Sequence, residues 1–115
     1  MSQLKRYNLL LDLVDDEVLI KEYEDYHKSI WPEIAESIKA AGILNMEIYR
    51  IGNRLSMIME VNEDFSFEQK SISDSNNEKV QEWENLMWKY QQALPIAKVG
   101  EKWILAEKIF TLKTI

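Results

Sequence analysis

The sequence contains no cysteine and only one histidine in 115 residues. Without thiols there is no disulfide, no cysteine nucleophile and no thiolate metal site, and one imidazole is too few for an ordinary histidine-rich metal centre. Glycine occurs three times and proline twice. No Gly-rich phosphate loop, dinucleotide turn or nucleophile elbow is formed from them, so the reaction is expected to need no cofactor and no metal. No apolar run approaches the roughly 18 residues of a membrane-spanning helix. The apolar stretch near the start is interrupted by Asp12 and has no small-residue cleavage site, which predicts no signal peptide. Positive charge is also short: 14 Lys and Arg stand against 20 Asp and Glu, a net charge of −6. The acids are spread along the chain, and such a surface repels phosphate backbones, so no nucleic-acid partner is expected. What is present is 46% hydrophobic residues, enough for a real core in one cytoplasmic domain over residues 1–115.

The order of elements follows from the apolar spacing. RYNLLLDLV, residues Arg6 to Val14, is short and apolar with Tyr7, Leu9, Leu11 and Leu13 on one face, a first strand. Asp15 and Asp16 suit a helix start. Beyond them Leu19, Tyr23, Tyr26 and Ile30 form a narrow stripe at helical spacing, with His27 on its flank. Pro32 breaks this helix and starts a second piece that stops at Gly42. ILNMEIYRI and RLSMIMEV alternate on either side of Gly52-Asn53 and read as a hairpin. The polar, Ser-rich interval from Asn62 to Asn77 is expected to be a loop with a short helical turn. Glu78 to Leu94 is helical, with Val80, Trp83, Met87, Tyr90 and Leu94 on its stripe, and Trp103 to Phe110 is a final strand. The order β-α-β-β-α-β is the ferredoxin-like α+β pattern, an antiparallel sheet with helices on one face. In a chain of this length only a second copy is left to cover the other face, so a homodimer packed sheet to sheet is expected.

His27 has Tyr23 one turn before it and Trp31 one turn after, on the same side of the helix. A lone histidine on a helix flank is more often structural than catalytic, yet its ordinary pKa of about 6.5 suits proton exchange near neutrality. Trp88 falls off the last stripe among Gln81, Glu84 and Gln92, where an indole has to be covered by a loop, a partner or a ligand. Trp83 fits the stripe and reads as packing, as do Trp103 and the Met57/Met59 strand face.

Tyr23, His27, Ile30, Trp31, Pro32 and Glu33 together resemble the opening motif of the L-rhamnose mutarotases. Gly42, Asn45, Ile48 and Tyr49, the arm RLSMIMEV, and Trp88-Lys89-Tyr90 follow in the family's order, over nearly the whole chain. The resemblance implies a dimeric α+β barrel that interconverts the α and β anomers of a 6-deoxyhexose without cofactors. It implies His27 as the catalytic acid/base and Tyr23 and Trp88 as sugar-binding residues, with Trp31 a further stacking surface. Met46 stands where the family usually has a tyrosine, and Met87 where it has the first of two tryptophans. Losing a phenol removes a donor from the pocket and changes which hydroxyls it reads. The expected substrate is L-rhamnose, with L-fucose as the alternative. Glu33 or Glu107, or a water, is the candidate for the second proton transfer. A non-catalytic sugar-binding module and a cofactor-free oxygenase on the same barrel are the readings from other classes.

Overall fold

The computed structural model describes residues 5–112; the ends of the expected domain, 1–4 and 113–115, lie outside the described residues. Strand β1 (Lys5–Leu13) leads to helix α1 (Glu17–Lys28), whose N-cap Asp16 accepts from the amides of Val18 and Leu19 at 3.0 and 3.1 Å. Such a cap satisfies amides that have no partner within the helix. The chain then breaks, and α2 (Pro32–Ala40) restarts with proline in its first turn. Strands β2 (Ile43–Ile51) and β3 (Arg54–Val61) form the hairpin. Gly52 at φ +57 supplies the positive angle of its two-residue turn.

β3 lies between β2 and β1, antiparallel to both, with Leu9 opposite Met57 and Ile48 opposite Met57 on the other side. Strand alternation puts Leu9, Leu11, Leu13, Leu55, Met57, Met59 and Val61 on one face, and all are buried. One core cluster joins Leu13 and Leu55 to Tyr23, Ile34, Val80, Trp83, Met87 and Tyr90. A second joins Leu9, Met57, Met59 and Val61 to Ile43, with Ile38 and Phe65 packed against it. The helices thus cover one face of an antiparallel sheet, the expected architecture.

Three boundaries differ from the sequence expectation. The interval after Asn62 carries a nine-residue helix, α3 (Phe67–Ser75), rather than a single turn. Ser66 caps it by accepting from the Gln69 amide at 3.2 Å, and the Ser-x-x-Gln spacing is a helix-start signature. Helix α4 (Glu78–Trp88) ends six residues before Leu94, because the chain there turns onto the edge of β1. Val14 donates to the Tyr90 carbonyl at 2.8 Å, and Gln91 and Gln92 form β4 opposite Leu13 and Asp12. The final strand is reduced to β5 (Ile104–Leu105), paired with Leu10 and Leu9 of β1. Ala106 still reaches the Asn8 carbonyl with its amide at 2.8 Å, and residues 107–112 are assigned to no strand.

Gly42 joins α2 to β2 at φ +96, and a Cβ there would stand 2.6 Å from Asn62 Oδ1. That oxygen is held by the amide of Asp64 at 3.0 Å, so it cannot swing away without losing a bond. Gly42→Ala combines the clash with a left-handed backbone and is expected to cost about 1–3 kcal/mol, measurable as a lower denaturation midpoint in urea.

Candidate functional site

The break between α1 and α2 leaves a cleft over the buried face of the sheet, and His27 lies at its edge. Its Nδ1 is 2.8 Å from the backbone carbonyl oxygen of Tyr23. A carbonyl only accepts, so Nδ1 carries the proton and, in the neutral ring, Nε2 keeps its lone pair. The imidazole lies 4.4 Å from the Tyr23 ring and 5.6 Å from the Trp83 ring, the latter edge to face. Burial lowers the His27 pKa, against a smaller opposing effect of the bond to the Tyr23 carbonyl.

Tyr23 is 3% exposed, and burial raises its pKa, so its phenol remains a donor at neutral pH. The amide of Gln91 lies beyond it, with Nε2 3.4 Å from the phenol oxygen. Tyr90 is held in turn by the Glu22 carboxylate, to which its hydroxyl donates at 2.9 Å; burial and that neighbour push its pKa up to about 12.

Two cavities of about 530 and 440 Å³ meet here, sharing Tyr23, His27, Ile30, Ile38, Met46 and Ile48 as a common wall. Either is large enough for a monosaccharide. The second runs under α3 and α4 and reaches Met87, Gln91 and Trp103. The structure therefore brings Tyr23, His27, Met46 and Met87 together around one space.

Trp31 and Trp88 line neither cavity. Trp31 caps α2 and packs edge to face on Trp83 at 5.1 Å, behind the histidine. Trp88 is 37% exposed, and Lys102 of the connecting segment lies over its ring at 4.7 Å. The same ammonium donates to the Glu84 carbonyl at 3.0 Å. The cover that an indole on a polar face requires is thus a loop lysine. Glu33 and Glu107 are exposed and lie away from both cavities; the carboxylates on their walls are Glu24, Asp74 and Glu84. Asp74 is already engaged by Lys70 and by Ser37, whose hydroxyl donates to it at 3.3 Å.

Two residues of this site were hidden in the sequence. Trp83 matches the core stripe, and nothing in its spacing shows that its outer edge meets His27. Gln91 falls where helical periodicity continues, and only the turn onto β1 points it inward. Among the described residues no group of three or more His, Cys, Asp or Glu is placed to hold a metal ion.

A model of the L-rhamnose mutarotase family matches residues 6–112 of this chain. The chain belongs to that family. It is 44% identical over 111 residues to an L-fucose mutarotase of Xanthomonas campestris pv. campestris, covering 95% of this chain and 89% of that protein. Its fold is similar to that of an L-rhamnose mutarotase from Formosa agariphila, with a TM-score of 0.69 at 23% identity over 95% of this chain and 99% of the other. It is also similar to the tetracenomycin F2 cyclase of Streptomyces glaucescens, a type-II polyketide cyclase, with a TM-score of 0.61 at 15% identity over 96% and 99%. The second likeness shows how far chemistry varies on one fold. Membership of the mutarotase family, in contrast, spans the cleft, α3 and the Gln91 turn alike, and sets aside the oxygenase reading.

Proposed function

We propose that this mutarotase-family protein interconverts the anomers of L-fucose by acid–base catalysis at His27, with L-rhamnose the alternative substrate. The observation that carries the mechanism is the imidazole on the wall common to both cavities, with its Nδ1 proton tied to the helix backbone. The choice of sugar follows the relative at 44% identity and the thioether of Met46 in the wall, which offers no phenol donor.

Ring opening breaks the C1–O5 bond, removes the proton of the anomeric hydroxyl and places one on the ring oxygen. His27 Nε2, with its lone pair free, takes the proton of the anomeric hydroxyl and passes it to the ring oxygen; both oxygens are attached to C1, so one imidazole serves both transfers and ends the step neutral again. Tyr23, kept neutral by burial, donates to a sugar hydroxyl. Trp83 and Met87 supply apolar surface for the sugar's methyl-bearing side. The protein works in the cytoplasm as a homodimer. The dimer is supported by the apolar surface left open: Tyr49 and Ile51 on the sheet face away from the helices are 56% and 81% exposed, and Ile109 and Phe110 beyond β5 are 92% and 75% exposed. Such surface on a small domain marks an interaction site.

The test is anomer exchange followed by NMR saturation transfer across L-fucose, L-rhamnose, D-glucose and D-galactose. Acceleration of the two 6-deoxy-L-sugars, L-fucose foremost, is the expected result; equal acceleration of all four sugars would exclude a specific pocket. Because burial lowers the His27 pKa, the imidazole is neutral at pH 7 and the acid limb of kcat/KM is expected below pH 6.5, read from the same assay. The stability sign follows: the unfolded chain binds this proton more readily, so acidification from its ordinary pKa of about 6.5 favours unfolding.

A further inference from the structure

Gln91 is 7% exposed, and among the described residues its side chain makes one polar contact, the 3.4 Å approach of Nε2 to Tyr23 Oη. That length is beyond the usual range for N–H···O bonds. Its Oε1 is buried and has no hydrogen-bond partner among the described residues. Turning the amide over would only exchange which end is free, because the tyrosine hydroxyl is its single hydrogen-bonding contact among the described residues. A buried acceptor without a partner is destabilising, and an apolar side chain of the same length would avoid that cost. The free end belongs to a residue that lines the 440 Å³ cavity together with His27, Tyr23 and Trp83. Its backbone is fixed by pairing with Leu13 of β1, so the amide is presented by the sheet and not by a mobile loop.

We infer that Gln91 is a specificity-determining residue whose amide oxygen accepts a hydrogen bond from one hydroxyl of the bound sugar. This rests on the mutarotase reading and adds the group that discriminates among its substrates. Only hydroxyls of a pyranose can donate, so the partner of Oε1 is a hydroxyl and not the ring oxygen. L-Fucose and L-rhamnose share the methyl group but differ in configuration at C2 and C4. An acceptor fixed opposite one of those carbons separates the two sugars, since the wrong epimer leaves it buried and unpaired.

The experiment compares wild type with Gln91→Met by anomer exchange on L-fucose, L-rhamnose and their 2-deoxy and 4-deoxy analogues. The variant is expected to lose about 10- to 100-fold in kcat/KM on the preferred sugar. On the analogue that lacks the recognised hydroxyl the change is expected to be under about twofold. Its thermal midpoint is expected to stay level or rise, which a residue retained for structure would not show. The same fractional loss on every sugar, or no loss on any, would overturn the inference. Should Gln91→Met not fold, Gln91→Asn withdraws the amide by one methylene and is judged by the same two outcomes. A wild type that accelerates no 6-deoxyhexose removes the mutarotase reading and this inference with it. A wild type that accelerates them, with a variant indifferent to the sugar, removes this inference alone.

Discussion

His27→Asn is expected to lower the protein's acceleration of anomer exchange by about 10²–10⁴-fold, the usual contribution of a positioned acid–base group. Asparagine keeps the size and the ability to donate to the Tyr23 carbonyl, the one hydrogen bond the imidazole makes among the described residues. It has no group that titrates near neutrality, so the proton transfer is lost while the packing against Tyr23 and Trp83 is largely kept. Saturation-transfer rates on a variant with unchanged circular dichroism provide the check. Wild-type rates would take His27 out of the mechanism. Sugar affinity that falls without any catalytic rate to lose would instead identify a binding module, the reading from another class that the sequence leaves open.

The largest effect on stability is expected from Trp83→Ala. The indole is 8% exposed and meets Tyr26 edge to face at 6.1 Å, Trp31 at 5.1 Å and His27 at 5.6 Å. Removing it takes a large ring out of the cluster that joins α1, α2 and α4 and leaves a cavity, at a cost of about 3–5 kcal/mol. That is a large share of the total stability of a domain of this size. Urea denaturation gives the loss as a displaced midpoint. Trp83→Phe keeps an aromatic edge toward the imidazole and is expected to recover most of it, which separates ring packing from any effect peculiar to the indole.

Much of this architecture was legible in the spacing of apolar residues. The hairpin announced itself by two alternating arms around Gly52-Asn53, and the α1 stripe by Tyr23 and Tyr26 at helical intervals. Pro32 marked the break that opens the cleft, and Gly42 the stop of α2. Less legible were the elements decided by contacts distant in sequence. Residues 89–94 carry helical periodicity through Tyr90 and Leu94, yet the edge of β1 offers backbone partners there, and pairing with Leu13 and Asp12 prevails over the local pattern. The amphipathic signal of α3 is weak because none of its residues is buried; the Ser66–Gln69 cap was the one local clue. For the same reason Trp83 read as core alone and Gln91 as one more helix position. A single-sequence pattern reports which side of an element is apolar, not which neighbour folds against that side. Trp88 shows the converse, since its position off the stripe was legible but the lysine over its ring, 14 residues further along, was not.

On the mechanism proposed above, the bond between His27 Nδ1 and the carbonyl one turn earlier also bears on the catalytic cycle as a whole. A free imidazole that accepts a proton on one nitrogen can release it from the other and finish a turnover as a different tautomer, which must then relax before the next. Here the helix backbone holds the Nδ1 proton in place, so any proton gained at Nε2 leaves from Nε2. The protein that has carried an α anomer to β is then in the same state as the protein about to carry β to α. On that mechanism His27 needs no change of tautomer between turnovers, whichever anomer the turnover began from.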